Sequence, residues 1–137
     1  MTDLAFVDSN VILYALDKRQ SEKSEQAEDV LRSVIEGGSG VASTQVVNEV
    51  ASVLLRKYER SSLEVVAALQ LFRSFHVVAH SLEMTVAAVE LRETHKINFW
   101  DALIVATAVS AGCRTLYTED LSHGHKIAGV RIVDPFA

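Results

Sequence analysis

One cysteine, Cys113, cannot form a disulfide within the chain, so packing alone has to hold the fold. One proline, Pro135, and six glycines leave few breaks, and the clearest is "GGSG" at Gly37–Gly40. No repeat, low-complexity tract or linker divides the chain. The apolar runs are too short or too interrupted to span a bilayer. The run from Leu4 to Leu16 contains Asp8 and Asn10 and follows no basic leader, so no signal peptide is expected and the expected location is cytoplasmic. A basic excess is also missing. With a net charge of −5 the chain has no broad cationic field, and charge alone does not suggest a nucleic-acid partner. Acidity of this kind also arises where carboxylates are gathered to hold cations.

What is present is an ordinary globular composition. At 137 residues, residues 1–137 fit one domain, and 49% hydrophobic against 23% charged residues argues against disorder. Short apolar strands are expected at Leu4–Asp8, near Val41, and at His76–Ala79, Thr115–Thr118 and Val130–Val133. Helices are expected between them: one running on through Leu16, then Ser21–Glu36, Thr44–Tyr58, a helix from Ser61 toward Phe75, and Glu83–His95. Ser61 with Glu64 has the spacing of a capping box. The last helix is "INFWDALIVATAVSAG", Ile97–Gly112, which carries a single charge, Asp101. Such alternation predicts an α/β domain with a central, mostly parallel sheet of about four to five short strands flanked by helices. In sheets of this class ligands gather outside the carboxyl ends of the strands.

Four carboxylates occupy positions of interest. Asp8 ends the first strand in "FVDSN", where an aspartate also serves as a turn or N-cap residue. Glu49 flanks the stripe formed by Val46, Val47, Val50, Val53 and Leu54, a place from which it can reach water or a cleft. Asp101 opens a helix with no charge from Ala102 to Ala111, which reads as packed on every side. Asn98 can cap that helix, and its dipole favours an anion by about 0.3–1 kcal/mol. Burying an unpaired carboxylate costs several times as much, so Asp101 needs a cation or access to water. Asp120 follows the strand in "TLYTED", with Thr118 and Glu119 beside it, and alone reads as turn chemistry. Taken together, four carboxylates in one cleft repel unless divalent cations are present. Oxygen donors without cysteine or spaced histidines suit Mg²⁺ or Mn²⁺, and the matching chemistry is phosphodiester hydrolysis.

The same residues resemble the PIN-domain family along nearly the whole chain. "FVDSNVILYAL" is similar to its first motif, "STQVVNEV" to its second, "NFWDALIVATA" to its third and "LYTEDLSHG" to its fourth. Order and spacing resemble the VapC-type toxins, the ribonuclease halves of bacterial toxin–antitoxin pairs. The resemblance implies a PIN-like single domain and a Mg²⁺- or Mn²⁺-dependent endoribonuclease. Asp8, Glu49, Asp101 and Asp120 would form its catalytic and metal-holding set, with Asp8 and Asp101 the firmest ligands. Glu119 is the alternative to Asp120, and Ser9 and Thr118 match hydroxyl positions that orient water or phosphate. It also implies a homodimer, an RNA substrate and a VapB-type antitoxin whose basic segment enters the acidic groove. The competing reading is a catalytically inert PIN-like module that binds RNA or protein.

RNA binding needs cations for phosphates. Lys18, Arg19 and Lys23 form the candidate cluster, while Arg56, Lys57 and Arg60 read as a solvated helix end. Trp100 reads as a core or subunit-contact aromatic rather than a stacking platform. His123 and His125 in "SHGH" read as a solvated loop, and Cys113 as a small buried hydrophobe. An aspartyl-phosphate phosphatase would want a second aspartate two residues after Asp8, where Asn10 stands.

Overall fold

The computed structural model describes residues 3–137. A six-stranded sheet runs in the order β3-β2-β1-β4-β6-β5. Its strands are β1 (Ala5–Val7), β2 (Gly40–Ser43), β3 (His76–Val78), β4 (Thr115–Tyr117), β5 (Lys126–Ile127) and β6 (Val130–Val133). All neighbours are parallel except β5 and β6, which form a hairpin. Five of these strands lie where the sequence predicts them; β5 was not expected. Two residues are too few to show a periodicity. Its turn consists of Ala128 and Gly129, both at positive φ (51° and 86°), the backbone that a tight two-residue hairpin requires.

Six α-helices cover the sheet: α1 (Ser9–Leu16), α2 (Ser21–Glu36), α3 (Thr44–Arg56), α4 (Ser62–Leu69), α5 (Leu82–His95) and α6 (Phe99–Ser110), with a 3₁₀ turn at Gln70–Ser74. Their starts follow side-chain chemistry. Asp8, Ser43, Ser61, Ser81 and Asn98 each accept a backbone N–H at the beginning of a helix. The Ser61–Glu64 capping box forms in both directions. The expected helix from Ser61 toward Phe75 changes to 3₁₀ at Gln70 before the chain enters β3.

β1 and β2, buried throughout, form the middle of the core. Phe6, Val7, Val41, Leu116 and Ile132 are fully buried there beneath Val11, Ile12, Val46, Val50 and Leu54 from α1 and α3. The uncharged α6 behaves as its composition predicts: Ala102 through Ala108 are all buried. Ile104, Val105 and Ala108 join the sheet core. Leu103 and Ala106 pack on the other side with Met84 and Ala88 of α5. Having two hydrophobic neighbours, the helix has no solvent face between Ala102 and Ala108 on which to carry charge.

Strand order reverses at β1, whose chain-order successor β2 lies on one side and β4 on the other. That switch point leaves a crevice at the carboxyl ends of β1 and β4, the standard location for a ligand in a sheet of this kind. Gly40, at the start of β2, is pressed on by the Phe75 ring, and an added Cβ would lie 2.8 Å from Cε2 of that ring. Gly40→Ala is therefore expected to cost about 1–3 kcal/mol, read from the urea midpoint, and Gly40→Ala/Phe75→Leu should recover part of that loss.

Candidate active site

The elements that end at the crevice bring the sequence-predicted acids to one region. Asp8 leaves β1 and is 4% exposed. Its Oδ1 accepts the Ser9 backbone N–H (2.7 Å) and its Oδ2 accepts the Thr118 hydroxyl (2.9 Å). Ser9 Oγ donates to Glu49 Oε2 (2.9 Å), and Gln45, one turn earlier on α3, donates to Glu49 Oε1 (2.8 Å). Asn10 Nδ2 donates to Asp120 Oδ2 (3.0 Å) and to Thr118 Oγ1 (3.3 Å). Thr118 Oγ1 also accepts the Asp120 backbone N–H (3.1 Å). A continuous network therefore links Glu49, Ser9, Asp8, Thr118, Asn10 and Asp120.

Asp101 stands outside these hydrogen bonds. Its backbone N–H donates to Asn98 Oδ1 (2.9 Å), and its Oδ2 accepts Asn98 Nδ2 (2.7 Å), so cap and carboxylate hold each other. Half-buried, it keeps the access to water that its place in an apolar helix demands. It belongs with the others electrostatically. Burial raises its pKa, and the charges of Asp120 and Glu49 raise it further against the opposing Asn98 hydrogen bond. Asp120 is likewise raised, by burial first and then by Glu119, Glu49 and Asp134, with Asn10 opposing. Asp8 is pushed up to about 7, chiefly by burial, with Asp120 and Glu49 adding to it and Thr118 and Ser9 opposing.

Glu119 points elsewhere. Its carboxylate accepts the Tyr14 hydroxyl (3.0 Å) and pairs with Lys23 Nζ (3.4 Å). The ion pairs among the described residues are made by Asp3, Asp17, Glu28, Asp29, Glu93 and Glu119; none involves Asp8, Glu49, Asp101 or Asp120. Among the described residues no three acid, histidine or cysteine side chains form a ready-made metal cluster. The reason lies in the partners just given: each carboxylate of the four is turned onto a hydroxyl, amide or backbone donor. Ser9 and Thr118 spend their only protons on carboxylates, so in this structure they orient acids.

Two residues here escaped the sequence reading. Asn10 was weighed only as a failed acid, yet it joins Asp120 to Thr118, and its own Oδ1 is buried without a partner. Gln45 supports Glu49 at a four-residue helical spacing, a signal that was legible. Trp100, expected in a core or subunit contact, is 62% exposed, which removes the core alternative. With Glu49, His80 and Gln45 it lines a groove of about 700 Å³ beside the acids. Cys113 is buried, and His123 and His125 lie in an exposed loop, as expected.

This fold agrees with the sequence comparison. The PIN domain family model matches residues 5–126. The chain belongs to the PIN domain family. Several solved structures are similar over most of their length. A toxin–antitoxin complex from Klebsiella pneumoniae contains a chain 23% identical, with a TM-score of 0.71, covering 96% of this chain and 97% of that one. The DNA-bound VapBC of Salmonella typhimurium is 18% identical, with a TM-score of 0.68 and coverage of 98% and 99%. Mycobacterium tuberculosis VapC20, described as a Sarcin–Ricin loop cleaving toxin, is 19% identical, with a TM-score of 0.66 and coverage of 85% and 89%. At these identities the likeness is one of fold. No curated protein sequence matches the chain significantly. Among the described residues no helix is long and apolar enough to cross a membrane.

The raised Asp8 fixes a sign for the pH dependence of stability. Its ordinary value is 3.8 and its value in the fold about 7, so between these the native state holds a proton that the unfolded chain has lost. Stability from this group is full below pH 4 and drains away as pH rises through about 7, by about 4 kcal/mol in total. Urea unfolding in EDTA is expected to show a less stable protein at pH 8 than at pH 5.5, and Asp8→Asn should remove most of that difference.

Proposed function

We propose that this PIN domain is a metal-dependent endoribonuclease that hydrolyses RNA phosphodiester bonds, acting in the cytoplasm as the toxin of a VapC-like toxin–antitoxin pair. One observation carries the proposal: Asp8, Glu49, Asp101 and Asp120 meet at the switch point of the sheet and, among the described residues, none has a basic partner. The toxin–antitoxin complexes and the RNA-cleaving VapC20 among the similar folds support this reading.

The residues fit a hard divalent cation, Mg²⁺ or Mn²⁺. The donors are all oxygens, Asp8 is buried with no counter-charge, and Asn10 Oδ1 is buried without a partner. Asp8 and Asp101 would be the principal ligands, and Glu49 and Asp120 would complete the site directly or through water. When bound, the ion supplies a water of lowered pKa and neutralises charge developing on the phosphoryl group. The chain's own part is positioning. Ser9 and Gln45 hold both oxygens of Glu49, and Thr118 and Asn10 hold Asp8 and Asp120 at a common hydroxyl. Asn98 holds Asp101 at the first turn of a buried helix. With Glu119 committed to Tyr14 and Lys23, we assign Asp120 as the fourth acid.

The partners follow from surface chemistry. Leu82, Val86 and Val89 lie along one face of α5, and with Leu63 and Val66 of α4 and Val77 of β3 they are exposed apolar residues. We assign that surface to a homodimer. The acidic crevice suits the basic segment of a VapB-type antitoxin, which would neutralise the carboxylates as a metal does.

Purified protein free of antitoxin is expected to cleave structured RNA with Mg²⁺ or Mn²⁺ and not with EDTA. Asp8→Asn and Asp101→Asn should abolish cleavage, and Asn10→Ala or Thr118→Val should lower it by about 10–100-fold. Equal cleavage by wild type and both aspartate variants sinks the assignment. A folded wild type that binds RNA but binds no divalent metal and cleaves nothing would favour the inert module instead. For the dimer, Leu82→Asp/Val86→Asp is expected to sediment as a monomer where the wild type sediments at twice that mass.

A further inference from the structure

Two basic clusters that are far apart in sequence meet at one end of a groove leading from the acids. α1 starts at the acid site and α3 carries Glu49 there, and the two helices pack against each other. Eight residues beyond Glu49, at about 1.5 Å per residue, Lys57 stands roughly 12 Å farther along the α3 axis. The loop after α1 reaches the same place. Arg19 lies 5.1 Å from the Tyr58 ring centroid and Lys57 Nζ 5.9 Å from it. Lys18, Arg19, Lys57 and Arg60 line a surface cavity of about 610 Å³, with only Asp17 and Glu59 as acids. A narrower cavity of about 230 Å³ shares Lys57 and Tyr58 with it and continues past Tyr14 to Asn10, whose amide holds Asp120.

The end of this groove is built. Asp17 is buried, and its carboxylate accepts the Arg19 backbone N–H (3.1 Å), Nε (2.9 Å) and a terminal guanidinium N–H (3.1 Å). Those bonds hold Asp17 down at about 2, so the pair persists at any ordinary pH. Glu59 takes a left-handed backbone (φ 51°) that ends α3 and folds Arg60 back, its N–H donating to the Leu54 carbonyl (2.9 Å). Arg19 is thus committed to Asp17 and Lys18 to Glu28. Lys57 and Arg60 are exposed and make no ion pair among the described residues.

We propose that this groove is an RNA-strand subsite, in which Lys57 and Arg60 bind backbone phosphates next to the nucleotide held at the acids, over a floor formed by Tyr58 and Arg19. The proposal rests on the nuclease reading and adds where the strand runs. A protein of net charge −5 with an acidic reaction centre repels a polyanion, so affinity has to come from cations just outside that centre. The narrower cavity, whose one acid, Glu119, is paired with Lys23, reaches Asn10, and the Asn10 amide joins it to Asp120. The basic antitoxin segment assigned to the crevice would be repelled here, which separates the two ligands.

Lys57→Ala/Arg60→Ala tests the idea, with labelled single-stranded RNA titrated in EDTA over a range of KCl. The log–log salt slope is expected to fall by about 1.4, or 0.7 for each lost phosphate contact. With metal, KM for long RNA should rise while cleavage of a dinucleotide, too short to reach the groove, stays unchanged. Lys57→Arg/Arg60→Lys, which keeps both charges, should bind as the wild type does, and the thermal midpoint should be the same in all three proteins. Unchanged RNA affinity and slope in the alanine variant overturn the proposal. So does polyglutamate competing as well as RNA, which would mark a docking site for acidic protein. Since binding is read without cleavage, a wild type that binds with the full slope yet never cleaves defeats the nuclease reading and leaves the subsite standing.

Discussion

Repulsion among carboxylates that have been taken out of water is the constraint on which this molecule depends. Asp8 is almost wholly buried at the end of β1, and the charges of Glu49 and Asp120 act on it as well. A hydrophobic core tolerates that only through compensation. Some of it comes from hydrogen bonds, and each acid is turned to a separate donor: Ser9, Thr118, Gln45, Asn10 or Asn98. The rest comes from a proton, since the Asp8 carboxyl is held up to about 7. A divalent cation would replace that proton; without one, the stability this group contributes falls as pH rises through about 7.

The fold works to keep the acids from moving apart. Asp8 and Asp120 follow parallel strands that pair directly, with the Asp8 N–H bonded to the Tyr117 carbonyl at 3.0 Å. Asp101 is carried by α6, which packs between the sheet core and α5. Glu49 comes from α3, whose buried stripe is locked over β1 and β2. Helix starts, strand ends and core packing thus oppose a repulsion that would otherwise splay the crevice. The same geometry explains the spread of charge: acids at the switch point, free cations about two turns of α3 away, and an apolar surface on α4, β3 and α5.

Much of this was legible in the sequence because it rests on local signals. Capping residues at Asp8, Ser61 and Asn98 mark helix starts, and the absence of charge from Ala102 to Ala111 marks a helix with no wet face. The strand-end positions of Asp8 and Asp120 pointed to the ligand edge of a parallel sheet. Other features were hidden for equally physical reasons. The two-residue β5 forms because Ala128 and Gly129 accept positive φ, and Ala128 gives no warning of it. Trp100 follows Phe99 and reads as a core or subunit-contact aromatic, but α6 turns it outward beside Glu49. Lys57 and Arg60 read as a solvated helix end because their neighbours in the groove, Lys18 and Arg19, stand some forty residues earlier.

By itself the sequence determined the α/β alternation, the nature of α6 and the set of acids, since periodicity, capping and strand-end placement are properties of short segments. Tertiary structure alone gave Asp120 and Glu119 their different partners. Only when α1, α2 and the turn after β4 are packed together does Tyr14 with Lys23 take one carboxylate and Asn10 take the other. It likewise decided that Ser9 and Thr118 hold acids, and that two distant basic clusters share one groove. Such pairings join residues tens of positions apart. A hydrogen bond of about 3 Å is set by how whole elements pack, and no local pattern encodes it.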